Sequence, residues 1–109
     1  MVGFRRYGMI FRIRPELKEE YRKAHDEIWP EMAQAIRAGG IRNYSLHYRR
    51  DGTIFSYFEA VDAAASAAFM AKQPVNDRWQ KSMERFFVKR ESAVIGPDVE
   101  ELEEVFHLD

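Results

Sequence analysis

The chain contains no cysteine. Disulfides, thiolate nucleophiles and cysteine-based metal sites are therefore excluded together. It also has no long hydrophobic run: none approaches the ~20 residues that span a bilayer. Its start lacks the charged, apolar and small-residue succession of a secretory signal. Neither sign of charge is in excess, since 17 basic and 18 acidic side chains leave a net charge of −1. Without a basic field, nucleic acid and anionic membrane surfaces are not expected partners; Arg5-Arg6 is a pair and not a patch. The three histidines, His25, His47 and His107, have no zinc-motif spacing. No phosphate loop, nucleophile elbow or dinucleotide fingerprint is present. These absences make a cytoplasmic address the default and leave no sequence motif for a metal or a nucleotide.

What is there suits one packed domain spanning residues 1–109. Hydrophobic residues make up 46% of the chain and aromatic residues 14%, enough apolar surface for a core. No repeat or low-complexity tract interrupts it.

The periodicity changes along the chain. Residues 4–14 alternate, with Tyr7, Met9, Phe11 and Ile13 on one side and Arg6, Gly8, Ile10 and Arg12 on the other, which predicts a strand. From Glu16 to Ala38 the apolar residues Leu17, Tyr21, Ala24, Ile28, Met32, Ala35 and Ile36 recur at helical spacing. Pro30 removes one helix hydrogen bond and divides or kinks that helix near Asp26. Gly39-Gly40 provides a left-handed stop. Residues 41–49 alternate again, Asp51-Gly52 signals a hairpin, and 53–60 form a return strand apolar on both faces. Asp62 caps an Ala-rich helix over 62–73. Pro74 ends it, and a shorter helix follows from Asn76 to Phe87. Residues 91–98 read as loop. In the last segment, "ELEEVFHLD", Val105, Phe106 and Leu108 favour a final strand.

The order β-α-β-β-α-β is that of an α+β, ferredoxin-like fold with one antiparallel sheet and helices on one face. Apolar positions on the opposite face predict a homodimer with two sheets packed face to face, a dimeric α/β barrel.

Two aromatic clusters carry the candidate chemistry. Tyr21, His25 and Trp29 stand four residues apart on one helical face. The plain reading is an amphipathic helix edging the core. The functional reading is a pocket: His25 borders the apolar face, where helix and sheet diverge beside Pro30. Trp79, among Asn76, Asp77, Arg78 and Gln80, either closes the core or offers a flat platform to the C–H face of a sugar.

Taken together, Tyr21-x-x-x-His25-x-x-Ile28-Trp29-Pro30-Glu31, Asn43-Tyr44, Arg78-Trp79 before Met83, and the ending "LEEVFHLD" resemble the L-rhamnose mutarotase family over essentially the whole chain. The resemblance implies cofactor-independent interconversion of the α and β anomers of L-rhamnose. It matches His25 to the proton donor and Tyr21, Tyr44 and Trp79 to sugar contacts. Where the family often has a second tryptophan, this chain has Gln80, which can hydrogen-bond a hydroxyl instead. The second proton relay stays open among Tyr21, Tyr44, a carboxylate such as Glu31 or Asp77, and water. A cofactor-free monooxygenase-type enzyme and a non-catalytic ligand-binding dimer are the alternatives on the same fold.

Overall fold

The alternation of residues 4–14 places β1 at Arg5–Arg12 in a computed structural model that describes residues 3–88 and 98–109. Pro15 opens a 3-10 turn, Pro15–Leu17, that leads into α1, Lys18–Asp26. The helical run then breaks. Trp29 is extended, with φ −60° and ψ 129°, and Pro30 becomes the first residue of α2, Pro30–Ala38. A proline has no N–H to lose at that position, and its fixed φ already suits a helix. The expected division near Asp26 is therefore a clean stop and restart.

Gly40 has φ +84° and supplies the left-handed turn out of α2. β2 (Arg42–Tyr48) and β3 (Thr53–Ala60) are joined through Asp51-Gly52, with Gly52 at φ +93°. A Cβ on Gly52 would lie 2.4 Å from the Ile13 carbonyl oxygen, so this turn needs glycine for space as well as for φ. Asp62 caps α3, Ala63–Ala71, accepting from the N–H groups of Ala64 and Ala65. Pro74 both ends that region and opens α4, Pro74–Met83. This helix starts two residues earlier than the expected Asn76, because proline at the first position initiates a helix. It gives way to a 3-10 turn at Glu84–Phe86.

The sheet order is β2-β3-β1-β4 with every pairing antiparallel, the ferredoxin-like arrangement expected. β4 is short, Glu100–Leu102, and pairs Leu102 with Gly8. The final strand thus lies just before the apolar residues expected to form it. Val105, Phe106 and Leu108 are 88%, 77% and 80% exposed, and none of them pairs with a strand among the described residues. Of the predicted 91–98 loop, residues 91–97 fall outside the described residues.

The core lies between the helices and one face of the sheet. It joins Ile13, just past β1, and Ile54 of β3 to Tyr21, Met32, Val75, Trp79, Met83 and Phe86 from the helical side. Ile13, Ile54 and Phe86 are fully buried, each worth about 1.5–3 kcal/mol of transfer free energy. A bulge between Arg42 and Ser45, with Asn43 at φ 50°, adds one residue to β2 ahead of Tyr44.

Candidate active site

The last turn of α1, the start of β2 and the middle of α4 converge on one region. Two cavities meet there, a cleft of about 840 Å³ and a smaller one of about 300 Å³. Both fall near the usual ~300–1,000 Å³ of small-molecule sites. Tyr21, His25, Tyr44, Trp79 and Gln80 line both cavities. The histidine, the two tyrosines, Trp79 and Gln80 therefore share one location.

His25 is held at its inner nitrogen. Nδ1 lies 2.9 Å from the Tyr21 backbone carbonyl oxygen. A carbonyl only accepts, so Nδ1 carries the hydrogen. Nε2 has no hydrogen-bond partner among the described residues. The ring sits 4.5 Å from the Tyr21 ring and meets Trp79 edge-on at 5.6 Å. Burial among these groups pushes the His25 pKa down, against smaller upward pulls from the Tyr21 carbonyl and Asp26. The neutral imidazole is thereby favoured.

The phenols stay protonated. The Tyr21 ring is 7% exposed and packs against Phe86. Its hydroxyl has no protein partner among the described residues, where no buried side-chain polar atom lacks a hydrogen bond; the hydroxyl is accordingly open to the cavity that the residue lines. Burial pushes the Tyr21 phenol up, and neighbouring Tyr44 pushes it the same way. Tyr44 is 47% exposed as a residue, but desolvation at its hydroxyl end still raises the phenol, with the Ser56 hydroxyl pulling it back in part. Both phenols are therefore donors at neutral pH. Ser56 is a polar residue buried on the helix side of the sheet and lines the smaller cavity. Sequence reading missed it, since one serine among the apolar residues of β3 gives no spacing signal.

Trp29 lines neither cavity. The helix break turns it out of the stacked row, and its ring instead meets Trp79 edge-on at 5.1 Å. It braces the wall that Trp79 forms. Glu31 and Asp77 also lie off the cavities. Glu31 pairs with Arg78 at 3.2 Å and Asp77 with Lys81 at 3.0 Å, all with exposed side chains, and neither carboxylate reaches the cavities. The carboxylate that lines the larger cleft is Asp26, next to His25. Asn76, Lys18 and Tyr48 line it as well. Among the described residues no group of three or more His, Asp or Glu side chains could hold a metal ion.

Fold and site together define a ferredoxin-like α+β protein with an aromatic, hydroxyl-bearing cleft around one imidazole. A sequence model of L-rhamnose mutarotase matches residues 6–108, and the chain belongs to that family. It is 36% identical to the L-rhamnose mutarotase of Bacillus subtilis strain 168 over 96% of this chain and 99% of that protein. It is 34% identical to that of Oceanobacillus iheyensis, with the same coverage. The crystal structure of an L-rhamnose mutarotase from Formosa agariphila superimposes with a TM-score of 0.82 at 22% identity, covering 96% of this chain and 99% of that one.

Proposed function

We propose that the protein interconverts the α and β anomers of L-rhamnose by opening and reclosing the hemiacetal ring. The observation that carries this reading is the Nε2 of His25, without a hydrogen-bond partner among the described residues and bordered by two protonated phenols and an indole in a cleft roomy enough to admit a sugar ring. The family relatives named as L-rhamnose mutarotases support the choice of sugar. Mutarotation removes a proton from the anomeric hydroxyl and places one on the ring oxygen, and closing reverses both transfers. The two oxygens are attached to one carbon, so a single imidazole nitrogen reaches either.

Neutral His25 takes the anomeric proton at Nε2 and returns it, as imidazolium, to the ring oxygen while the ring C–O bond breaks. No net proton is gained or lost. The downward pKa shift suits both halves: it leaves the base free at neutral pH and makes the imidazolium a stronger acid. Tyr21 and Tyr44 donate hydrogen bonds to oxygens that gain charge. Trp79 gives the ring a flat carbon face, and Gln80 a polar contact.

The protein works as a homodimer in the cytoplasm. Support for the dimer comes from the sheet face away from the helices, where Ile10 pairs across from Phe55 and Leu102 lies across from Gly8. Phe55 is 38% exposed there, and a second copy would cover it. Exchange spectroscopy of L-rhamnose by NMR tests the activity. Catalytic amounts of protein should speed anomer exchange well beyond the spontaneous rate; exchange no faster than in buffer sinks the reading.

A further inference from the structure

The carbonyls at the end of α3 have no intrahelical partners. That of Met70 accepts from the Gln73 N–H at 3.0 Å and from Asn76 Nδ2 at 3.2 Å. Because a carbonyl only accepts, Asn76 must turn its amide nitrogen toward Met70. Its Oδ1 then faces Gln80, one helical turn on. Gln80 Nε2 donates to that oxygen at 3.3 Å. Both amide orientations are thus dictated by one backbone carbonyl. Gln80 Oε1 is left with no partner among the described residues, on a side chain that lines both cavities.

We propose that Asn76 is a positioning residue that locks the Gln80 amide with Oε1 as its free atom, so that Gln80 acts as an acceptor selecting a sugar hydroxyl. This rests on the mutarotase reading and deepens it. A second indole at position 80 would reward a carbon face of the ring. An amide oxygen rewards an O–H donor and penalises a sugar that lacks it, because the acceptor then goes unpaired. The substrate class is accordingly an aldose bearing a hydroxyl at the ring position that meets Gln80, and analogues deoxygenated there are rejected.

The test measures anomer exchange for L-rhamnose and for analogues lacking one further hydroxyl at a time. Wild type is compared with Gln80→Met, Asn76→Ala and the double variant, each with a melting curve. Gln80→Met should raise KM for L-rhamnose roughly three- to tenfold, the scale of one neutral hydrogen bond, and more than it lowers kcat. One deoxy analogue should bind weakly to wild type and be insensitive to the substitution. Asn76→Ala should raise KM alone but add nothing once Gln80 is Met; a purely structural role for Asn76 would multiply instead. Independent factors in the double variant, or an unchanged KM for every sugar in Gln80→Met, would overturn the proposal. If Asn76→Ala does not fold, folded Gln80→Met still decides whether the acceptor matters. Wild-type exchange tests the mutarotase reading separately. Should that be absent, saturation-transfer NMR on the same sugars and variants decides the hydroxyl contact: a matching pattern of lost binding supports it, and no binding by wild type overturns it.

Discussion

His25, on α1 over the covered face of the sheet, and His47, on β2 at the open face, are handled differently. On the covered face, His25 is clamped at Nδ1 by a backbone carbonyl, partly stripped of water, and left with a free nitrogen at a cavity. On the open face, His47 lies within hydrogen-bond distance of the Ser45 hydroxyl, Nε2 to Oγ 3.0 Å, with Phe55 beside it, and lines neither cavity. The same side chain becomes a candidate catalyst on one face and part of an apolar, contact-ready surface on the other. Burial and the identity of its partner make the difference, since the imidazole's intrinsic chemistry is common to both.

Substituting both histidines tests the contrast most directly. His25→Ala should lower catalysed anomer exchange by roughly two to four orders of magnitude, the scale of a lost general acid–base group, after subtraction of the spontaneous rate. His47→Ala should leave exchange within about twofold. Comparable losses in the two folded variants would erase the distinction.

Next in size is Trp79→Ala. The indole is 7% exposed and supports both Trp29 and His25, so melting curves should report a loss of about 3–5 kcal/mol. Trp79→Phe keeps much of that packing and should mainly raise KM. A Trp79→Phe protein with wild-type KM would make this residue core alone.

The open face is probed by Phe55→Arg. The charge should be compatible with the folded chain, because the side chain is already 38% exposed, but it should drive the dimer toward monomer in light scattering at micromolar concentration. A wild-type protein that is already monomeric would leave the open face without its proposed cover.

The smallest effect is on pH. His25 is held below its ordinary 6.5 by burial, so the unfolded chain binds this proton more tightly than the folded one. Stability should therefore rise with pH through the window below 6.5 and fall on acidification. Exchange should follow the same direction, with its acid limb centred below 6.5 and lost together with His25. An inflection above 6.5 would mean that burial does not control this imidazole.

Much of the fold was legible because its signals are local. Pro30 divides a helix wherever it falls in one, Asp62 caps the helix that follows it, and Asp51-Gly52 turns a chain between two alternating runs. The terminal strand was misplaced by a few residues for the opposite reason. Val105, Phe106 and Leu108 have the composition of a strand, but pairing depends on a neighbour, and β1 offers its edge to Glu100–Leu102. An unbroken helix would stack Tyr21, His25 and Trp29; the break that Pro30 predicts leaves Tyr21 and His25 together and turns Trp29 toward Trp79 instead.

The sequence by itself determined the order of elements, the helix break beside the site and the candidate residues, through backbone propensities, periodicity and the family motif. Only the tertiary structure decided that Tyr44 and Gln80, far from His25 in the chain, face the same cavities. It also decided that Glu31 and Asp77 are occupied by Arg78 and Lys81, and that Met70 orients Asn76. Those outcomes depend on which elements pack together and which polar partners they bring within 3–4 Å, distances that residue spacing does not encode beyond a single helix or strand.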